Sequence, residues 1–145
     1  MKLVIDASIA LKWFLANAAD EQNVTEAVAL LAAIENGDHE IVQPPHWLAE
    51  VISVLARRAP NVVSASLTFF ARLPRVDSAG DAVLLRAAEM SARLNHHLFD
   101  TLYHAVALEH GGTLVTADER YFGVAKNEGS ISLLVNFAPI QSQSS

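Results

Sequence analysis

Residues 98–122 read LFDTLYHAVALEHGGTLVTADERYF, and the order of apolar and small residues in this stretch decides what kind of fold the chain can adopt. Asp100 is followed by a helical pattern as far as His110, so residues 100–110 are predicted to form a helix that Asp100 opens. The Gly111-Gly112 pair stops it. Residues 113–116, TLVT, then make a short apolar run suited to a strand buried on both faces, with Asp118 just beyond its carboxyl end. A helix that hands over to a buried strand is half of a crossover, the connection that parallel strands require.

The same grammar recurs at the amino end, where residues 2–5, KLVI, run into Asp6. Between these two strands, residues 24–36 are rich in alanine and leucine and close at Gly37, a residue suited to a left-handed helix cap. Residues 41–43 fit a short strand. Pro44 and Pro45 introduce a helix over residues 46–58 that Pro60 ends, and a further helix is expected over residues 62–72. Residues 74–77 fit an edge strand, residues 81–94 a helix with Ser78 and Gly80 as start signals, and residues 133–137 a last strand. Strands alternating with helices predict an α/β fold of three layers, a mostly parallel central sheet flanked by helices. Asp6 and Asp118 would then share the carboxyl edge of the sheet, where ligand sites of open α/β folds gather.

The 145 residues suit one domain, expected over residues 1–140, with a polar tail at residues 141–145 expected to be disordered. No internal repeat or linker interrupts it. With 52% hydrophobic and 18% charged residues the chain can build a core, and no apolar run is long enough for a membrane span. The apolar start MKLVIDASIALKWFL is broken by Asp6 and Lys12 and lacks a small-residue cleavage site, so it does not read as a signal peptide and a cytoplasmic protein is expected. The absence of cysteine removes thiolate metal sites, thiol nucleophiles and disulfides. A net charge of −6 argues against broad binding to a phosphate backbone, so any nucleic-acid site must be local. Arg57 with Arg58 and Arg72 with Arg75 offer either a local positive rim or ordinary solvated helix faces.

Taken alone, Asp100 fits a helix N-cap, accepting backbone hydrogen bonds. Glu50 lies among Trp47, Val51 and Val54 with no basic neighbour expected to balance it, and a carboxylate in apolar company needs a partner or a metal. His96 and His97 beside an aspartate suggest a zinc site or an acid-base pair, but adjacent residues at a helix end would face different ways. His104 follows Asp100 by one helical turn and is a candidate partner or nucleic-acid contact, whereas His110 does not share that face.

The segments VIDASIALKWFL, PPHWLAEVISVL and LFDTLYHAVALEHGGTLVTADERYF together resemble the PIN-domain family, and within it the VapC-like toxin ribonucleases. The resemblance consists of four elements in order: the strand ending in Asp6, the proline-led helix carrying Glu50, the helix with Asp100, and the Thr-Ala-Asp ending in Asp118. It implies that Asp6, Glu50, Asp100 and Asp118 take the acidic positions of a metal site and that Ser8 supports the first aspartate. Ser53 stands where relatives commonly carry asparagine, and Thr101 where alanine is common.

Four crowded carboxylates repel one another and raise the proton affinity of at least one until a cation arrives, and oxygen donors favour Mg²⁺ or Mn²⁺. The resemblance implies an endoribonuclease that leaves a 5′-phosphate and a 3′-hydroxyl. Asp6 and Asp118 would be direct ligands, Asp100 a ligand or a partner through water, and Glu50 the group that orients water or a second ion. An RNA substrate, a cognate antitoxin and a homodimer are implied with it. The alternatives are a related nuclease acting in RNA processing or on DNA without an antitoxin, an inactive binding module, and a phosphoryl-accepting receiver domain. The last would need a second acid beside Asp6 and a lysine soon after a late strand, where Lys126 comes too late.

Overall fold

The computed structural model describes residues 1–78 and 80–137, so the expectation for residues 141–145, like the boundary at residue 140, lies outside the described residues. Five strands form one sheet: β1 Lys2–Ile5, β2 Glu40–Gln43, β3 Val76–Asp77, β4 Thr113–Thr116 and β5 Ile131–Leu133. Their order is β3-β2-β1-β4-β5, and every pairing is parallel. Seven α-helices connect them: α1 Ala7–Phe14, α2 Val24–Glu35, α3 Trp47–Arg58, α4 Val63–Arg72, α5 Asp81–Leu94, α6 Leu98–His110 and α7 Glu119–Ala125.

β1 is central because Leu3, Val4 and Ile5 are buried on both sides, and only a strand with two partners and two helical layers can bury all three. The chain steps outward from β1 to β2 and β3, then returns to the far side of β1 as β4 and β5. Right-handed crossovers therefore send α1 to α4 to one face and α5 to α7 to the other, which makes the three layers. Strand order reverses between β1 and β4, so the carboxyl edge there opens into a crevice.

Local chemistry fixes this crossover. Gly111 ends α6 with a positive φ of 66°, a conformation glycine adopts without steric cost. Gly112 is required for a different reason: a Cβ on it would lie 2.8 Å from the Lys2 carbonyl oxygen. α6 is buried along Thr101 to Ala107 without a break, between the sheet and α5, and so fills the core as few helices of this length do.

Three expectations need correction. α6 begins at Leu98 with His97 as its N-cap, so Asp100 sits inside the first turn and caps nothing. The last strand is Ile131–Leu133 and the chain then tightens into a 3₁₀ turn at Leu134–Asn136. Residues with positive φ at Gly129 and Ser130 start that strand early, and the apolar run LLV, equally compatible with strand and turn, concealed the break. The helix expected from residue 62 opens instead as a 3₁₀ turn at Pro60–Val62 before α4. No helix among the described residues is long and apolar enough to cross a membrane.

Candidate metal centre

Asp6 and Asp118 occupy equivalent positions, each leaving a central strand and entering a helix. Asp6 caps α1, its Oδ1 accepting from the Ser8 amide at 3.1 Å and from the Ser8 hydroxyl. Asp118 caps α7, its Oδ1 accepting from the Tyr121 amide at 3.0 Å. One hydroxyl ties the two turns together: Thr116, fully buried at the end of β4, donates to Asp6 Oδ2 and accepts the Asp118 amide at 3.0 Å. Ser8 adds a second tie, its Oγ accepting the Ala117 amide at 3.2 Å.

Asp6 is freed from the ladder by Gln43. The amide of this fully buried side chain accepts from the Ile5 amide at 2.9 Å and donates to the Ile5 carbonyl at 2.7 Å. The side chain thus replaces main-chain pairing at the point where β1 turns into α1, and it satisfies two buried backbone groups.

The other two acids stand on helix flanks. Asp100 Oδ2 meets His96 Nε2 at 2.6 Å and His97 Nε2 at 3.2 Å. Glu50 Oε1 accepts from the Tyr103 hydroxyl at 2.7 Å and lies 3.0 Å from His46 Nε2. His46 precedes Glu50 by one turn, so the balancing neighbour that the sequence did not lead us to expect is a histidine on the same helix.

Electrostatics join three of the four. Burial pushes the Asp6 carboxyl up, the hydrogen bonds from Ser8 and Thr116 oppose this, and the charges of Asp100 and Asp118 add to the rise, leaving it at about 6. Burial also pushes Glu50 up, but the hydrogen bonds from His46 and Tyr103 outweigh it and hold this carboxyl below its ordinary value. Tyr103 is raised by its burial, by its bond to Glu50 and by the charges of Asp6 and Asp100, so it stays a donor. Tyr121 is raised by burial and by Asp100, Asp6 and Asp118. The charges of Asp100 and Asp118 thus both act on Asp6, and Tyr103, which bonds Glu50, is itself raised by Asp6 and Asp100.

Oxygen donors around a carboxyl whose proton affinity is raised by burial and, to a smaller extent, by neighbouring carboxylates fit a hard divalent cation, which would offset both. Among the described residues, the group whose ligand atoms all lie within 4.8 Å of one another is a different one, His96, His97 and Asp100. The four carboxylates are not all drawn together to that extent.

Several supporting residues escaped the sequence: Gln43, Thr116, Tyr103, Tyr121 and His46 all look like core or surface positions until the fold sets them beside an acid. His104 is corrected. It is fully buried, with Nδ1 2.9 Å from the Tyr121 hydroxyl and Nε2 2.7 Å from the Gly129 carbonyl, so it braces Tyr121 and cannot touch RNA. Burial lowers its proton affinity, the bond to Gly129 opposing this. His96 and His97 are corrected too: they lie in the short connection between α5 and α6, with His97 the N-cap of α6, and both rings turn to Asp100 where they were expected to face different ways. The arginine pairs separate: Arg58 binds Asp20 at 2.8 Å and Arg75 binds Asp77 at 3.3 Å, whereas Arg57 lines an open groove of about 340 Å³ with His46, Glu50, Ser53 and Phe99. A groove of equal volume that includes Arg72 contains none of the four acids.

A family profile described as PIN domain matches residues 3–127. No curated protein matches the sequence. Among solved structures, VapC20 of Mycobacterium tuberculosis, described as a sarcin-ricin loop cleaving toxin, superimposes with a TM-score of 0.64 at 20% identity over 90% of this chain and 96% of its own. VapBC2 of Rickettsia felis, described as bound to a DNA fragment from its promoter, gives a TM-score of 0.61 at 20% identity over 92% of this chain and 97% of its own. At that identity the likeness is one of fold.

Proposed function

The chain belongs to the PIN domain family, and from that premise we propose that it is an endoribonuclease dependent on Mg²⁺ or Mn²⁺, the toxin of a toxin–antitoxin pair acting in the cytoplasm. The observation that carries the reading is the placement of Asp6 and Asp118 at the strand-order reversal, tied together by Thr116 and Ser8, with the charges of Asp100 and Asp118 adding to the rise that burial gives Asp6. Asp6, Asp118 and Asp100 would hold the ion, with Glu50 beside them. A bound divalent ion supplies positive charge for the scissile phosphate and lowers the proton affinity of an attacking water.

The protein's own groups do the positioning. Ser8 and Thr116 point both Asp6 oxygens, and Thr116 holds the Asp118 turn against β1. Tyr103, kept protonated, presents Glu50 with one oxygen bound and the other open to orient a water. Arg57 and the half-exposed Phe99 beside Glu50 give the groove one cation for a phosphate and one ring for a base, which suits single-stranded RNA despite the acidic net charge. The toxin assignment is supported by the fold shared with VapC20 and VapBC2, and the antitoxin partner by the latter's description as a complex. A homodimer is proposed on the family resemblance alone.

Sequencing of RNA ends after brief expression of the chain without its partner tests the substrate, and cleavage of that RNA by purified protein with Mg²⁺, Mn²⁺ or excess EDTA tests the ion. New 5′-phosphate ends and loss of cutting in EDTA are expected. Undiminished cutting in EDTA rejects the mechanism.

A further inference from the structure

The loop between α5 and α6 is only three residues long, and its shape does something neither a helix nor a strand can do. Asn95 adopts the left-handed conformation, φ 50°, and His97 is extended, φ −68° and ψ 151°. Two consecutive side chains therefore turn to the same side, where regular structure would part them. Their rings stand 4.8 Å apart, centroid to centroid, tilted by 30°. Both Nε2 atoms face Asp100 Oδ2, at 2.6 and 3.2 Å, and all three ligand atoms lie within 4.8 Å of one another.

Donors on a tetrahedral zinc-class ion, with bonds of about 2.0 Å, stand about 3.3 Å apart, so small rotations convert this arrangement into a ligand set. Among the described residues no lysine or arginine is ion-paired to Asp100, and the two histidines are its partners. His96 is fixed, 13% exposed and edge-on to Tyr121 at 5.0 Å, whereas His97 is 68% exposed and gives an ion a way in. Two imidazoles and one carboxylate prefer borderline ions such as Zn²⁺, Co²⁺ or Ni²⁺ to Mg²⁺, which needs oxygen donors.

We propose that His96 Nε2, His97 Nε2 and Asp100 Oδ2 form a site for a zinc-class divalent ion, distinct from the oxygen-donor set but sharing Asp100 with it. The sharing rests on the function proposed above; the site rests on the three side chains alone. An ion bound here places positive charge beside Asp100 and competes for its carboxylate, so it weakens Mg²⁺ binding at Asp6 and Asp118.

The test uses the full chain without RNA and Co²⁺ as a visible probe. Co²⁺ is expected to produce ligand-field absorption that Zn²⁺ displaces and that a large excess of Mg²⁺ leaves in place. The double substitution His96→Asn with His97→Asn should weaken Zn²⁺ binding, measured by calorimetry, by roughly tenfold or more, since loss of a group that merely supports a ligand costs that much. Asp118→Asn should keep Zn²⁺ binding. Equal affinity in the parent and the double variant overturns the site, and so does an equal loss in Asp118→Asn. If the double variant does not fold by circular dichroism, nitrogen NMR of the parent decides: shifts of both His96 and His97 ring nitrogens with Zn²⁺ support the site, and unmoved resonances overturn it. None of these readouts depends on cutting RNA, so a failed ribonuclease reading and a failed metal site remain distinguishable.

Discussion

Asp6 and Asp118 are held at strand ends, largely by backbone amides and short hydroxyls, whereas Asp100 and Glu50 are held by rings, histidines one turn before each and, for Glu50, Tyr103 from another helix. The first two cap helices, accept backbone amides and share the Thr116 hydroxyl. The other two rest on side-chain donors, His96, His97, Tyr103 and His46, of which the exposed His97 is the freest to turn. The difference is one of stiffness. Backbone donors at a strand-to-helix turn move only with the sheet, while a helix flank supported by rings can adjust when an ion or a substrate arrives.

The largest expected effect lies on the stiff pair. Asp6→Asn and Asp118→Asn should each lower cleavage by at least about a hundredfold, beyond what loss of a supporting residue costs, with the fold retained because asparagine caps as well as aspartate. Single-turnover assays alongside circular dichroism decide it. Wild-type turnover in either variant removes that residue from the site.

Tyr103→Phe should be milder, a fall of roughly ten- to a hundredfold in activity with little change in melting temperature, because it removes the donor to Glu50 and leaves the packing. Thr116→Val should lower both activity and stability, the latter by about 1–3 kcal/mol, since the hydroxyl is fully buried and two partners lose it. If both variants lose activity and stability alike, the contrast between adjustable and stiff supports fails.

Metal-free protein should also reveal the cost of ionising Asp6. Its carboxyl titrates at about 6 in the fold against 3.8 as its ordinary value, so the folded state binds the extra proton between those values. Stability is then expected to fall as pH rises from about 4 through about 6, by on the order of 1–3 kcal/mol. Asp6→Asn should flatten this slope in EDTA. An unchanged slope assigns it to other groups.

The smallest effect separates the two kinds of aspartate directly. Asp118→Ala loses a helix cap and should cost about 0.5–2 kcal/mol, whereas Asp100→Ala should cost less, because His97 occupies the cap position of α6. Thermal melts of the two metal-free variants settle it, and equal losses would place Asp100 back at a cap.

Particular residues show how far the sequence could be read. KLVI and TLVT were legible as buried strands because an unbroken apolar run next to a turn signal has few other uses. Gly111-Gly112 was legible as a stop, though not that the two glycines serve different needs. α1 and α7 drew no prediction, since each is short and takes its start from an aspartate whose cap is set by the strand before it. Glu50 was legible as a carboxylate in apolar company, but its partners were not: Tyr103 is 53 positions away, and His46 reads as a polar residue after two prolines.

By itself the sequence determined which elements exist and which acids stand at strand ends, because hydrophobic period, glycine and proline act over a few residues. Only the tertiary structure decided that Thr116 would bind two turns at once, that Gln43 would stand in for a missing ladder bond, and that His96 and His97 would converge on Asp100. Those contacts depend on the parallel pairing of β1 with β2 and β4 and on a three-residue loop, and a hydrogen bond specifies position only when both partners have already been brought within about 3 Å.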